Sequence, residues 1–161
     1  VMAEGIVPSD VPDAPSISTV TALDGALEVL VAPGDSDSPV TSWEFRLDGG
    51  AWQTAGASGN QLTLSGLRNG TSYSFEVRAV NVVGVSDPSG PGTGTPRAVP
   101  SAPGNLLAVP GAGTVGLTWS APTSDNGSAI TDYVVQRSTS VEGPWTIAIC
   151  AIPSLDIRIW L

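Results

Sequence analysis

Residues 67–81 read LRNGTSYSFEVRAVN and combine a turn signal with a strict alternation of apolar and polar residues. Asn69-Gly70 favours a tight turn, because glycine adopts positive φ without a steric penalty. After the turn, the odd-numbered residues from Tyr73 to Ala79 are apolar and the intervening residues are polar. Such a period of two is typical of a half-buried strand. The stretch therefore predicts the central strand of a β-sandwich.

The composition is consistent with short strands joined by many turns. The 161 residues include 19 Gly and 14 Pro, and only 13% are charged. The net charge of −9 and the pI of about 4.1 disfavour binding to nucleic acid or to an anionic membrane. The single cysteine, Cys150, excludes an internal disulfide, and no apolar run is long enough for a transmembrane helix. No signal peptide is visible, and the first residues suggest a fragment of a longer chain.

An internal repeat of about 90 residues divides the chain. VPDAP at 11–15 matches VPSAP at 99–103, and PVTSW at 39–43 matches AITDY at 129–133. The offset grows from 88 to 93 along the chain, as expected where loops change length. A repeat of this size is a domain, so the chain is expected to carry tandem domains rather than a solenoid.

Alternation predicts seven strands in the first repeat. They are Ser16–Leu23, the run from Leu27 to Val31, 40–47, 51–55 around Trp52, the run around Leu62 and Leu64, Tyr73–Val80, and an irregular edge strand within 86–96 that contains two prolines.

These features resemble the fibronectin type III family, completely over 12–97 and in part over 100–149. The resemblance rests on the Pro-rich start, on Trp43 or Tyr133 in the third strand, and on the pattern that extends from Leu67 to Gly84. It implies an all-β, immunoglobulin-like, seven-stranded β-sandwich with a partial second sandwich. It also implies that Leu67 closes one end of the core and that the Tyr73 hydroxyl bonds to nearby backbone in a tyrosine corner.

Two departures from the family pattern shape the expectations. The family usually has Trp in its second strand, where the second repeat has Trp119 and the first has Val31, so we expect Trp52 or neighbouring residues to fill part of that space. After Trp145 no Asn-Gly-Thr-x-Tyr pattern follows. The alternating residues 155–161 would stand in for the fifth strand, and the sixth has no candidate. We therefore expect a linker at 1–11, a complete domain at 12–97, a linker at 98–102, and a truncated or frameshifted domain at 103–161.

The sequence provides no catalytic, cofactor-binding or metal-binding residues. It lacks histidine, so Ser-His-Asp and Cys-His sites are absent. Asp35, Asp37 and Asp125 lie in equivalent loops, but they lack the ligand spacing of a calcium loop and are interpreted as solvated turns. Asn69-Gly70-Thr71 and Asn126-Gly127-Ser128 fit the glycosylation rule, although turn formation alone explains both.

The aromatic residues leave two interpretations open. The five tryptophans would line a sugar-binding platform if they were exposed. Four of them lie at strand positions expected to face a core, with Trp160 as the exception, and a core role is favoured. Arg46-Leu47-Asp48 resembles an adhesion tripeptide only loosely, since Leu47 is expected to be buried.

The expected function is non-enzymatic. The leading interpretation is an extracellular or cell-surface spacer or protein-interaction module, monomeric within a longer tandem array. A second is an accessory carbohydrate-binding or spacing module of a secreted polysaccharide-degrading enzyme. A third is a receptor-like ectodomain that binds a protein through loops or an edge strand. Protein or polysaccharide is thus the expected class of partner, and the fold alone does not choose between these roles.

Overall fold

A computed structural model describes residues 10–140 and 142–147, and it describes the backbone of 157–160. The chain divides into two compact units, the first ending at Arg97 and the second beginning at Ala98. None of the described residues belongs to a helix that could traverse a bilayer. The strands of the first unit are β1 (Ser16–Leu23), β2 (Ala26–Ala32), β3 (Ser42–Leu47), β4 (Gln53–Thr54), β5 (Gly56–Ser58), β6 (Gln61–Ser65), β7 (Tyr73–Val80) and β8 (Gly92–Gly94).

Two four-stranded antiparallel sheets form the first unit, in the orders β1-β2-β6-β5 and β4-β3-β7-β8. β7 has the predicted bounds and lies inside its sheet, between β3 and β8. The apolar, odd-numbered side chains of β7 face the core, where Phe75, Val77 and Ala79 are at most 1% exposed. The core between the sheets also includes Leu27, Val29, Val31, Trp43, Phe45, Ala55, Leu62, Leu64 and Leu67. The first unit is therefore an immunoglobulin-like β-sandwich, as predicted.

The predicted fourth strand, at 51–55, is regular only over Gln53–Thr54, and the chain then changes to the other sheet. Gln53 pairs with Phe45 in one sheet, whereas Gly56–Ser58 pairs with β6 in the other. Between them lies the buried Ala55, whose N–H donates to the Trp43 carbonyl at 2.9 Å. The sequence prediction missed β5, because a strand that changes sheet after two residues leaves no alternation to detect.

The predicted seventh strand is regular only over Gly92–Gly94. Before Gly92, two serines make hydrogen bonds to the backbone of β7 that a regular neighbouring strand would otherwise make. Ser89 donates its N–H to the Val77 carbonyl at 2.8 Å, and its Oγ accepts the Val77 N–H at 3.1 Å. Ser86 bonds in the same way to both backbone groups of Ala79. A proline-containing segment thus satisfies the edge of β7 without forming a strand.

The second unit contains the described strands β9 (Gly104–Pro110), β10 (Val115–Ser120), β11 (Val135–Ser138), β12 (Thr146–Ile147) and β13 (Ile157–Trp160). β9 and β10 form an antiparallel hairpin, and β11 lies between β12 and β13. β13 is parallel to β11. The expectation that the tail replaces the fifth strand is wrong, because β13 pairs beside β11 as β7 pairs beside β3. Residues 1–9 and 148–156, which include the start of the expected linker and Cys150, lie outside the described residues.

Candidate functional site

The outer face of the β3–β7 pair carries four alternating charges. Glu44 lies opposite Arg78, and Arg46 lies opposite Glu76. The Arg78 Nη2 to Glu44 Oε2 distance is 2.6 Å, and the Arg46 Nε to Glu76 Oε2 distance is 2.5 Å. These side chains are 24–30% exposed, so the ion pairs are partly screened by solvent.

Trp52 lies on this charged face, not in the core. The Arg78 Cζ is 4.2 Å and the Arg46 Cζ 4.8 Å from its ring centroid, within the range of cation–π contacts. The expectation that Trp52 faces the core or fills the space beside Val31 is therefore wrong. Because Gln53 pairs with the inward-facing Phe45, the preceding residue must point outward, beside Arg46. The sequence did not show how this two-residue strand pairs with β3, and the orientation of Trp52 depends on that pairing.

The other described aromatic rings also have partners. Trp43 is 3% exposed, and its Nε1 donates to the Gly59 carbonyl at 3.2 Å. In the second unit, the centroids of Trp119 and Tyr133 are 5.4 Å apart. Trp145 is half-buried, and the side chain of Trp160 lies outside the described residues. The four described tryptophans therefore do not form an open platform of stacked rings of the kind considered for sugar binding.

The first unit has two poles, where the chain arrives and leaves. At the upstream pole, the buried Asn81 donates from Nδ2 to the Asp10 carbonyl at 2.7 Å. Its Oδ1 accepts the N–H groups of Val83 and Gly84 at 2.8 and 3.0 Å. The Asp13 N–H donates to the Asp35 carbonyl at 2.9 Å. The arriving segment is thus bonded to the loops after β2 and β7.

At the downstream pole, the departing chain is held by turns at the opposite end of the sheets. The Gly70 N–H donates to the Pro96 carbonyl at 2.8 Å, and the Arg97 N–H donates to the Leu23 carbonyl at 3.1 Å. Asn69 accepts the Gly25 N–H at 2.9 Å and donates to the Asp24 carboxylate at 2.7 Å. The Asn69 side chain therefore bridges two turns.

The tyrosine corner forms as the resemblance implied. The Tyr73 hydroxyl accepts the Arg68 N–H at 3.0 Å. The turn interpretation of both Asn-Gly sites is also confirmed, since Gly70 and Gly127 have φ values of 78° and 75°. The Asn126 amide, like that of Asn69, is used inside the fold and donates to the Val99 carbonyl at 2.8 Å.

Of the three acidic loop residues, Asp125 has a carboxylate that accepts a hydrogen bond within its turn. Asp125 Oδ1 accepts the Gly127 N–H at 3.0 Å, and Asp35 contributes its carbonyl to the contact with Asp13. Asp37 is exposed. Within the part of the chain that the structure describes, no group of three His, Cys, Asp or Glu side chains is placed to hold a metal ion. Leu47, expected to be buried in the adhesion-like tripeptide, is half-buried and packs against the core.

An antiparallel sandwich with a tyrosine corner defines a class of immunoglobulin-like modules. The family model of the fibronectin type III domain matches residues 16–95, and the chain belongs to that family through this domain. Endoglucanase B from Cellulomonas fimi is 35% identical over 150 residues, which cover 84% of this chain and 14% of the enzyme. Brother of CDO from Homo sapiens is 36% identical over 93 residues, which cover 52% of this chain and 8% of that protein.

A solved structure of a human fibronectin type III domain, from fibronectin type III domain containing protein 3, has a TM-score of 0.45 at 24% identity. The match covers 57% of this chain and 92% of that one. By contrast, the chain spans only 14% of the endoglucanase and 8% of Brother of CDO. Since 97 of the 161 residues belong to the first unit, a match over 84% of the chain extends into the second.

Proposed function

We propose that this chain is a non-catalytic spacer from an extracellular tandem array of fibronectin type III modules. The observation that carries the proposal is the anchoring of both chain ends at opposite poles of the first unit. Asp10 is bonded at the upstream pole, and Arg97 at the downstream pole. A module held in this way keeps its neighbours apart by the length of its strands, which is about 26 Å for eight residues.

The match to an endoglucanase supports a parent of the secreted polysaccharide-degrading type. Within such a parent, spacing is favoured over sugar binding, because Trp43 is buried and the Trp52 ring lies against two guanidinium groups. Sugar binding through aromatic rings needs an accessible ring face; Trp43 offers none, and the half-buried Trp52 ring is already packed against Arg46 and Arg78. A pull-down with insoluble polysaccharide tests this choice, and retention that Trp52→Ala abolishes would favour the carbohydrate-binding role instead.

A protein-interaction role is favoured by a separate observation. The loop after β7 exposes Val82, Val83 and Val85 by 80%, 45% and 42%, and Val11 beside it is 39% exposed. Asn81 holds this loop in place at the upstream pole. A rigid apolar loop at the point where the chain arrives is well placed to contact a neighbouring module.

The spacer proposal is tested by measuring a distance distribution. Spin labels at Asp10→Cys and Arg97→Cys, in a Cys150→Ser background, report the separation of the poles by double electron–electron resonance. We expect one narrow distribution near or somewhat above about 26 Å. A flexible chain of the same length would give a broad distribution centred near about 50 Å, and the same sample in denaturant supplies that reference. A broad distribution without denaturant would contradict a spacer role.

A further inference from the structure

The first hairpins of the two units have the same register. Thr19 pairs with Leu30 and Thr21 with Glu28 in the first unit, and the residues 88 positions later, Leu107 with Thr118 and Val109 with Gly116, pair in the second. Both hairpins also have a register irregularity at the equivalent place, between Ile17 and Thr19 and between Thr118 and Ser120. The two hairpins can therefore be compared residue by residue.

The difference lies at the edge of the second strand. In the first unit, β2 pairs with β6 on the side away from β1, from Ala26 to Leu30. In the second unit, among the described residues, β10 pairs only with β9. Among the described residues, the outer edges of β1 and β9 are both unpaired, so the feature that distinguishes the described part of the second unit is the open edge of β10. An open edge offers backbone N–H and C=O groups to another strand.

The surroundings of this edge lack the charges that usually protect one. Residues 98–124 contain no Asp, Glu, Lys or Arg, in a chain whose net charge is −9. Glu28 of β2 is replaced at the equivalent position by Gly116, and outward-facing Thr19 and Thr21 by Leu107 and Val109, which are 58% and 54% exposed. Edge strands commonly carry charged residues or proline as a barrier to pairing, and β10 carries neither.

We propose that the open edge of β10 pairs with the same strand of a second copy of this chain. Two copies that carry −9 each repel one another, and this uncharged region is where they meet without like charges in contact. The two strands would pair antiparallel about a two-fold axis. If odd-numbered residues of one β10 lie opposite odd-numbered residues of the other, Leu117 and Trp119 of both copies lie on the same face of the joined sheet. The two hairpins then form one four-stranded sheet.

The test uses the full chain and three lysine variants that change the net charge equally. Sedimentation velocity over a range of concentrations from micromolar upward measures the dimer dissociation constant. Thr118→Lys places a charge on the exposed outward face of β10, beside the proposed pairing edge. We expect it to weaken dimerisation by about fivefold, because the two introduced lysines then lie directly or diagonally opposite each other on one face of the new strand pair.

Two control variants separate edge pairing from other modes of association. Leu30→Lys lies at the equivalent position of β2, where β6 covers the edge, and we expect the dissociation constant of wild type. Leu107→Lys lies on the same outward face as Thr118 but on β9, away from the edge, and we expect no more than about a twofold change. Circular dichroism establishes that each variant keeps the β-sheet content of wild type.

Three outcomes would overturn the proposal. A wild-type chain that stays monomeric throughout the concentration range has no such interface. A Thr118→Lys variant that dimerises like wild type places the contact elsewhere. Equal loss in Thr118→Lys and Leu107→Lys shows that the outward faces pack together and that the strand edge is not the contact.

Discussion

The two units begin with the same hairpin and differ in what is built on it. In the first, β3 pairs antiparallel with β7 from Ser42 to Leu47. In the second, β11 pairs on the corresponding side with β13, which runs parallel. The first unit has a core of twelve buried residues. Among the described residues of the second, Val135 is the buried hydrophobic residue, with Leu117, Trp119 and Tyr133 packed against it.

The hairpin register and the core differ in how far along the chain the residues that determine them lie. The hairpin register repeats at an offset of 88 residues, so it is encoded within the hairpin. The core is different, because each layer needs a partner from the opposite sheet. β7 supplies Phe75, Val77 and Ala79 to that core. In the described part of the second unit, Leu117 and Trp119, which are equivalent to the buried Val29 and Val31, stay only half-buried.

The largest expected effect comes from separating the two units. We expect residues 10–97 to fold alone, with a free energy of unfolding close to that of the first unit in the full chain. We expect residues 98–161 alone to show no cooperative thermal transition, because few of their described apolar side chains are buried. Circular dichroism melts and amide dispersion in NMR spectra measure both. A cooperative transition in the shorter fragment would remove the contrast between the units.

The next effect concerns the last strand, which has no described counterpart in the second unit. A Cβ at Gly94 would lie 2.7 Å from Leu27 Cδ1 and 3.0 Å from Val20 Cγ1. We expect Gly94→Val to lower the free energy of unfolding by about 1–3 kcal/mol through overpacking. Gly90→Ala is the matched control, since nothing lies within 4 Å of the Cβ it would add. If Gly94→Val and wild type unfolded at the same denaturant midpoint, the two sheets would have accommodated the added side chain without loss of stability, which would contradict this prediction.

The serine contacts of β7 predict a smaller effect. Ser89→Ala removes the acceptor of the Val77 N–H, which is buried. An unsatisfied buried donor costs about 1–3 kcal/mol, and we expect a value at the lower end if water replaces the hydroxyl. Thr93→Ala, an exposed position of β8, controls for the loss of a hydroxyl and should change stability by no more than about 0.5 kcal/mol. Equal urea midpoints for the two variants would contradict the role given to Ser89.

Particular residues explain how far the sequence predicted this structure. The bounds of β1 and β7 and the tyrosine corner followed from alternation and from one family pattern, because those features depend on neighbouring residues. The outward position of Trp52 could not be predicted, since it depends on how Gln53 pairs with Phe45. The pairing of Ser86 and Ser89 with β7 and the direction of β13 likewise depend on contacts between distant segments. The candidate site was therefore less predictable than the fold.

The smallest expected effect is in the charged face of the first unit. Residues 90 positions after Glu44 and Arg46 are the uncharged Val134 and Gln136, so the described side chains at these two positions of the second unit do not repeat the charges. A double-mutant cycle between Glu44→Ala and Arg78→Ala should give a coupling energy of about 0.2–1 kcal/mol, since both side chains remain about one-quarter exposed.

A second cycle between Arg78→Ala and Trp52→Ala should give a coupling energy of about 0.5–1 kcal/mol. Raising the salt concentration to about 1 M should reduce the first coupling more than the second, because screening acts on the ion pair while the ring contact keeps its packing area. Equal salt dependence of the two couplings would show that Trp52 contributes no contact of its own to this face.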